Sequence, residues 1–318
     1  MRVAVLDDYQ QVARECADWD SLPAEVEVFT EHIADADELV RRLEPFEVIA
    51  AMRERTAFPR EVLERLPNLE LLVTTGMRNA AIDTAAAREL GIVVSGTGSG
   101  PSGWGATVEL AWGLVFALAR NIPAEDRAIR AGGWQTTVGA EVAGKTLGVL
   151  GLGRLGSHMA GVGRAFGMDV VAWSPNLTQE RAAGGGARWV SKRELFESSD
   201  VLSVHMVLGK RSRGLVAAED LALMKPTAYL INTSRGPIVD EPALRAALRE
   251  GRIAGAGIDV YGTEPLPADD PWRDTPRTVL TPHLGYVVQG TYQAFYRETA
   301  ENIAAFLRGE PIRVINAN

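Results

Sequence analysis

Cysteine is all but missing from this sequence: Cys16 is the only one in 318 residues. No disulfide can close within the chain, and no Cys/His group has the spacing of a zinc site. A reducing cytoplasm and no structural metal are therefore expected. Long apolar runs are missing too. The longest window, Leu110 to Ala119, is closed by Glu109 and Arg120 and is about half a bilayer span, so it reads as a buried helix. The amino-terminal run from Met1 to Asp8 reaches its acids too soon to serve as a signal peptide. Positive charge is not in surplus. A net charge of −8 excludes a protein whose main partner is nucleic acid or an anionic membrane, while leaving room for a local basic pocket that takes a small anion.

What is present is dominated by one stretch, Gly144 to Gly156. The apolar run Leu147 to Leu150 feeds directly into Gly151-x-Gly153-x-x-Gly156. Gly151 allows a tight turn, Gly153 lets the backbone approach a pyrophosphate, and Gly156 lets a helix lie close on its strand. A diphosphate would then sit on free N–H groups at a helix N-terminus. A second apolar run, Asp169 to Trp173, arrives at the right distance for a parallel neighbour, with Ser157 to Phe166 as the crossover helix.

Strand-like runs alternate with helical ones on both sides of this motif. Before it stand Val3–Leu6, Val26–Phe29, Val48–Ala51, Leu71–Thr75 and Ile92–Val94, with helical segments such as Asp35–Leu43 and Pro59–Leu66. After it come Ala187–Val190, Val201–Val204, Ala228–Ile231, Ala256–Val260 and Val279–Thr281, with helices at Lys192–Ser198, Ala218–Met224 and Glu241–Glu250. Ser191 and Asp240 stand where helix caps belong. The alternation predicts two α/β domains, each a doubly wound parallel sheet, the second with about one strand more than the usual six. Ser95 to Gly105 holds five glycines in eleven residues and reads as the crossing between domains. The helix Ala106–Ala119 is apolar nearly all round, which predicts burial on more than one side, by its own domain and by a second subunit. A last helix, Gly290–Leu307, returns the chain to the first domain.

Three polar residues stand at the ends of three predicted strands. They are Arg235 in Ile231-Asn-Thr-Ser-Arg-Gly-Pro237, Glu264 in Asp259-Val-Tyr-Gly-Thr-Glu-Pro265, and His283 in Thr281-Pro-His283. Parallel strand ends face one crevice, so such residues can converge. His32, His158 and His205 lack comparable surroundings, and the sequence assigns them no role.

In this order, these words resemble the D-isomer-specific 2-hydroxyacid dehydrogenase family over essentially the whole chain. The loop Gly76-Met-Arg-Asn79, Glu109 and Arg120, the glycine motif, Met224-Lys-Pro, Val239-Asp-Glu241, Glu264-Pro and Thr281-Pro-His283 carry the likeness. The resemblance implies a Rossmann dinucleotide-binding domain, 101–286, inserted into a flavodoxin-like substrate domain, 1–100 and 287–318. It implies a homodimer, and NAD(H) or NADP(H) held by Gly151, Gly153, Arg154, Leu155, Gly156, Ser174, Thr107, Thr233 and Asp259. It implies substrate contacts at Gly76 and Met77, and Arg235, Glu264 and His283 as the catalytic trio. The chemistry agrees: reducing a 2-keto acid needs a hydride, a proton for the alkoxide and a cation for the carboxylate. Histidine can supply the proton near neutral pH, Glu264 can orient it and favour its protonated form, and Arg235 can grip two oxygens at once.

Two rivals stand beside this reading: a non-catalytic dinucleotide sensor, and a formate-type dehydrogenase, against which Glu264 speaks. Three departures from the family pattern bear on specificity. Ala106-Thr-Val-Glu109 replaces the usual Ser-Val-Ala-Glu, and Arg53 and Arg78 add charge near the substrate loops. The third departure is Ser174, where users of NAD place an acid; NADPH should therefore be accepted.

Overall fold

The computed structural model describes residues 1–98, 100 and 105–317. The expected crossing at Ser95 to Gly105 falls in part on 99 and 101–104, outside the described residues. The chain divides into two compact units, Met1–Gly103 with Val288–Asn318, and Trp104–Val287.

The first unit is built on strands β1 (Arg2–Val5), β2 (Glu25–Val28), β3 (Val48–Ala51), β4 (Leu71–Thr74) and β5 (Val93–Gly96). All pair in parallel in the order β2-β1-β3-β4-β5. This is the flavodoxin-like order, with its topological switch between β1 and β3. β3 and β4 are buried along their whole length, as their unbroken apolar sequences require for strands covered on both faces. Helices α1 (Ala13–Cys16), α2 (Ala36–Leu43), α3 (Arg60–Leu63) and α4 (Thr84–Glu89) cover them. Asp35 starts α2 by accepting the Glu38 N–H at 2.8 Å, and Leu39, Val40 and Leu43 form its buried face. The helix expected from Pro59 to Leu66 is only one turn long.

The second unit opens with α5 (Gly105–Ala119) and α6 (Ile122–Arg130). It continues through β6 (Thr146–Leu150), α7 (Arg154–Ala165), β7 (Asp169–Trp173), α8 (Gln179–Gly184), β8 (Arg188–Trp189), α9 (Lys192–Ser198), β9 (Val201–Val204), α10 (Ala218–Leu221), β10 (Tyr229–Asn232), α11 (Glu241–Arg249), β11 (Gly255–Ile258) and β12 (Thr278–Leu280). The seven strands are parallel in the order β12-β11-β10-β9-β6-β7-β8, a Rossmann sheet whose switch lies between β6 and β9. α7 starts at Arg154, one turn earlier than Ser157, because Gly153 is already its first cap. Ser191 and Asp240 do cap their helices, accepting from the N–H groups of Glu194 and Ala243.

One side of α5 is covered within its own unit, while Leu110 and Phe116 on the helix stay half-buried. It packs on α7 and on β10, β11 and β12 of its own unit, with Trp112, Leu114, Val115 and Leu118 buried. Gly257 brings it close: a Cβ there would lie 2.9 Å from Leu114. α6 is the opposite case, with no buried residue of its own. Back in the first unit, α12 (Gln289–Leu307) buries Tyr292, Phe295, Tyr296 and Ile303, and Val314, beyond the end of α12, bridges to Ser95.

Candidate active site

The carboxyl end of β12 runs straight into Thr281-Pro282-His283. His283 adopts a left-handed backbone at φ 53°, a conformation unfavourable for a residue with a Cβ and held only by its surroundings. Those surroundings are the β11 loop. The His283 N–H donates to the Asp259 carbonyl at 2.8 Å. The Asp259 carboxylate accepts from Thr281 Oγ1 at 2.6 Å, Leu284 N–H at 2.7 Å and Gly285 N–H at 3.0 Å. Asp259 has no exposed surface, and burial pushes its carboxyl up while these donors hold it down. The residue expected to help hold the cofactor thus also organises the turn that carries the histidine.

The imidazole is fixed from the other side by Glu264. His283 Nδ1 lies 2.5 Å from Glu264 Oε2, and Glu264 Oε1 accepts the Tyr261 N–H at 2.8 Å. Both carboxylate oxygens are therefore in use, one anchored to backbone and one on the ring. Tyr261 reinforces this: its hydroxyl donates to the Thr281 carbonyl at 3.0 Å, linking the glutamate loop to the histidine loop. Tyr286 meets the imidazole edge-on, with ring centroids 5.4 Å apart.

Arg235 follows β10, and its Nη1 donates to the Ser234 carbonyl at 2.7 Å. Its loop is tied by Asn232, which accepts the Ser234 N–H and donates to the Arg235 carbonyl. Ser234 also donates to the Met206 carbonyl after β9. Gly236 touches the Tyr261 backbone so closely that a Cβ would come within 2.2 Å. The loops of Arg235, Glu264 and His283 are thus direct neighbours, as the ends of β10, β11 and β12 in one sheet should be.

Past β9 along the same carboxyl edge, β6 ends in the glycine turn. Gly151 stands at φ 100°, and a Cβ there would lie 2.6 Å from the His205 carbonyl. A Cβ on Gly156 would lie 2.1 Å from the Gly151 carbonyl. Gly153 differs: a Cβ on it would meet no protein atom within 4 Å. The first and third glycines are required by the protein's own packing, whereas the second clears space on the ligand side, with Arg154 and Leu155 in the first turn behind it. Thr233, almost fully buried, has a hydroxyl with no hydrogen-bond partner, and such a group ordinarily has one. These features fit a dinucleotide. Thr107 donates to the Gly285 carbonyl at 2.9 Å, and Ser174 is half-buried at the end of β7.

In the first unit, Gly76 adopts φ 91° and its N–H donates to Thr97 Oγ1 at 2.9 Å, while Met77 is largely exposed. The Arg53 guanidinium lies across Gly76 and donates to the Thr75 carbonyl at 2.9 Å. The structure gives partners for His32 and His205, which the sequence leaves unassigned. His32 Nδ1 lies 3.1 Å from buried Asp7, and His205 Nε2 lies 2.8 Å from Ser203 Oγ. Protein packed around the His205 ring pushes its pKa down to about 4. Among the described residues, no group of three or more His, Cys, Asp or Glu is placed to hold a metal ion, and no helix is long and apolar enough to cross a membrane.

Sequence reasoning missed Tyr261 and Thr281 as supports of the histidine. Both stand inside the strand-end runs that drew attention to Glu264 and His283, but nothing in their spacing says that a phenol and a carbonyl will meet.

Comparison with known proteins matches residues 112–285 to the NAD-binding domain of the D-isomer specific 2-hydroxyacid dehydrogenases. A glyoxylate reductase of Aeropyrum pernix is 37% identical over 266 residues, covering 80% of this chain and 79% of its own. A D-3-phosphoglycerate dehydrogenase of Bacillus subtilis is 34% identical over 90% of this chain, which spans only 54% of that longer protein. The structure of a phosphoglycerate oxidoreductase from Vibrio cholerae superposes with a TM-score of 0.91 at 34% identity, covering 97% of this chain and 99% of its own. An acyclic imino acid reductase, solved with NADPH and D-Arg, matches at 26% identity and a TM-score of 0.74 over 99% of this chain and all of its own. The chain belongs to the D-isomer-specific 2-hydroxyacid dehydrogenase family of oxidoreductases, whose nicotinamide cofactor binds in the domain that the second unit forms.

Proposed function

We propose that the protein interconverts a small 2-keto acid and its D-2-hydroxy acid, with His283 as general acid and base, Glu264 as its partner and Arg235 as the cation on the carboxylate and carbonyl. The observation that carries this reading is the doubly held Glu264, with one oxygen on the Tyr261 N–H and the other on His283 Nδ1. With Nδ1 engaged, Nε2 is the nitrogen through which the proton moves. The bound nicotinamide supplies or takes the hydride. Arg235 stabilises the negative charge that develops on the carbonyl oxygen, and His283 delivers the proton that quenches it. Within the first unit, the backbone of Met77 is the next donor after Gly76.

NADPH is accepted alongside NADH, since Ser174 offers a hydroxyl rather than a carboxylate to the adenosine ribose, and a relative was solved with NADPH. The protein is a homodimer, and the face that makes it includes α6 and the segment after it, where Ile122, Ile129, Trp134 and Val138 are all at least half exposed. The test of function is oxidation of NADH and of NADPH against a panel of glyoxylate, hydroxypyruvate, pyruvate and phenylpyruvate. Turnover with one or more is expected. Silence with every member overturns the catalytic reading in favour of a dinucleotide sensor.

A further inference from the structure

The end of β7 carries no charge of its own: Trp173-Ser-Pro-Asn-Leu-Thr178 is neutral throughout. The nearest cation in sequence, Arg181, lies seven residues beyond Ser174, and whether it bears on that strand end depends on how the chain turns. The structure shows a tight return. The Leu177 N–H donates to the Ser174 carbonyl at 3.1 Å, and the buried Leu177 side chain belongs to the core beneath the sheet. Thr178 then caps α8, its hydroxyl accepting the Arg181 N–H at 3.2 Å. That cap fixes Arg181 in the first turn, and its side chain reaches back so that Nη1 donates to the Asn176 carbonyl at 3.4 Å.

Arg181 therefore places a guanidinium on the rim of the turn that begins at Ser174. It is exposed, and its own bond is at the long end of hydrogen-bond geometry, so little is lost in exchanging that carbonyl for a better acceptor. Arg188 and Arg193, also in this stretch of the second unit, are matched with Glu194 and Glu197. Arg181 enters none of the ion pairs found among the described residues. Its sequence neighbour Glu180 follows the same cap, but adjacent helical positions do not face one another.

We propose that Arg181 and Ser174 together form the subsite for the 2′-phosphate of NADP(H), with the arginine supplying the charge and the serine a neutral donor. This rests on the reading that the cofactor lies along the glycine turn with its adenosine ribose at the end of β7. A phosphate monoester carries close to two negative charges and several acceptor oxygens, which a planar guanidinium meets with two parallel N–H bonds. Because the arginine arrives from the helix after the turn rather than from the position following Ser174, it is reached only when a 2′-phosphate is present. NADH loses nothing by its being there. The result is tolerance of both cofactors with a modest tilt toward NADPH.

The test is calorimetric titration of the full-length protein with 2′,5′-ADP and with 5′-AMP, which differ by the 2′-phosphate alone. The wild type should bind 2′,5′-ADP more tightly. Arg181→Ala should weaken 2′,5′-ADP about tenfold and leave 5′-AMP unchanged, with the difference shrinking as salt is raised. Arg181→Lys should fall between. Equal weakening of both ligands, accompanied by a lower Tm, would make Arg181 a brace of the turn and overturn the proposal. So would an alanine variant that binds both as the wild type does. If the wild type binds 5′-AMP but not 2′,5′-ADP, the acceptance of NADP(H) itself is wrong; if it binds neither, so is the placement of the ribose.

Discussion

The two halves of the second unit's sheet are organised on opposite principles. At the ends of β11 and β12 every acceptor that can be traced is already occupied. Asp259 holds three donors, Glu264 holds a backbone N–H and a ring, and Tyr261 ties the two loops together. At the ends of β6 and β7 the protein withholds contacts: a Cβ on Gly153 would meet no protein atom, and Arg181 makes one long bond. A group that moves a proton must be aimed before the substrate arrives, since orientation found during the reaction would add to the barrier. A group that binds a ligand is more useful with its capacity unfilled.

The contrast is most exposed at the histidine. His283→Ala should lower kcat by about 10² to 10⁴ on a confirmed substrate while cofactor affinity, measured by titration, barely moves. Near wild-type turnover would mean that the order around His283 serves only the fold. Arg235→Lys comes next: a lysine cannot reproduce the two-point grip, so KM should rise and kcat fall, with kcat/KM down about ten- to a hundredfold. Normal kinetics in steady-state assays would reduce Arg235 to a source of positive potential.

The glycine turn sharpens the contrast in the other direction. Gly153→Val should unfold at nearly the wild-type Tm yet bind NADH and NADPH weakly, since its side chain meets only the ligand's space. Gly156→Ala should lose about 1 to 3 kcal/mol of stability, because its Cβ would strike the Gly151 carbonyl. If thermal melts and cofactor titrations show the reverse assignment, the division between packing and clearance is wrong.

The effect that is smallest at neutral pH concerns His205, whose carbonyl abuts Gly151. Its pKa is lowered to about 4 in the folded chain against about 6.5 when unfolded, so the unfolded state binds the extra proton first. Stability should therefore be intact above about pH 6.5 and decline as pH falls toward 4. His205→Gln should make the Tm less sensitive to pH across that window. An unchanged slope would remove His205 from the acid response.

Much of this was legible in the sequence because it is local. The glycine turn, the caps at Ser191 and Asp240, and the strand-end positions of Arg235, Glu264 and His283 follow from spacing and residue type. What escaped depends on contacts between distant segments. The apolar sequence of α5 predicts burial on more than one side, but only the packing shows that Gly257, distant in sequence, lets β11 approach Leu114. α6, shorter and more polar, went unrecognised although its apolar side is the exposed one. The return of Arg181 rests on the Thr178 cap, visible in the letters but meaningful only once Leu177 is anchored in the core.

The first unit is assembled from both ends of the sequence. Strand β5 is completed by Val314, Ile312 and Asn316, and buried Asp8 receives the Tyr296 hydroxyl at 3.2 Å. On the ribosome, which releases the chain from its amino end, the five strands emerge early but without these partners. The second unit, continuous in sequence, has all its residues available first. The order in which the two units can reach their native state is thus the reverse of the order in which they begin to be made, and the open edge of β5 is the surface that must wait.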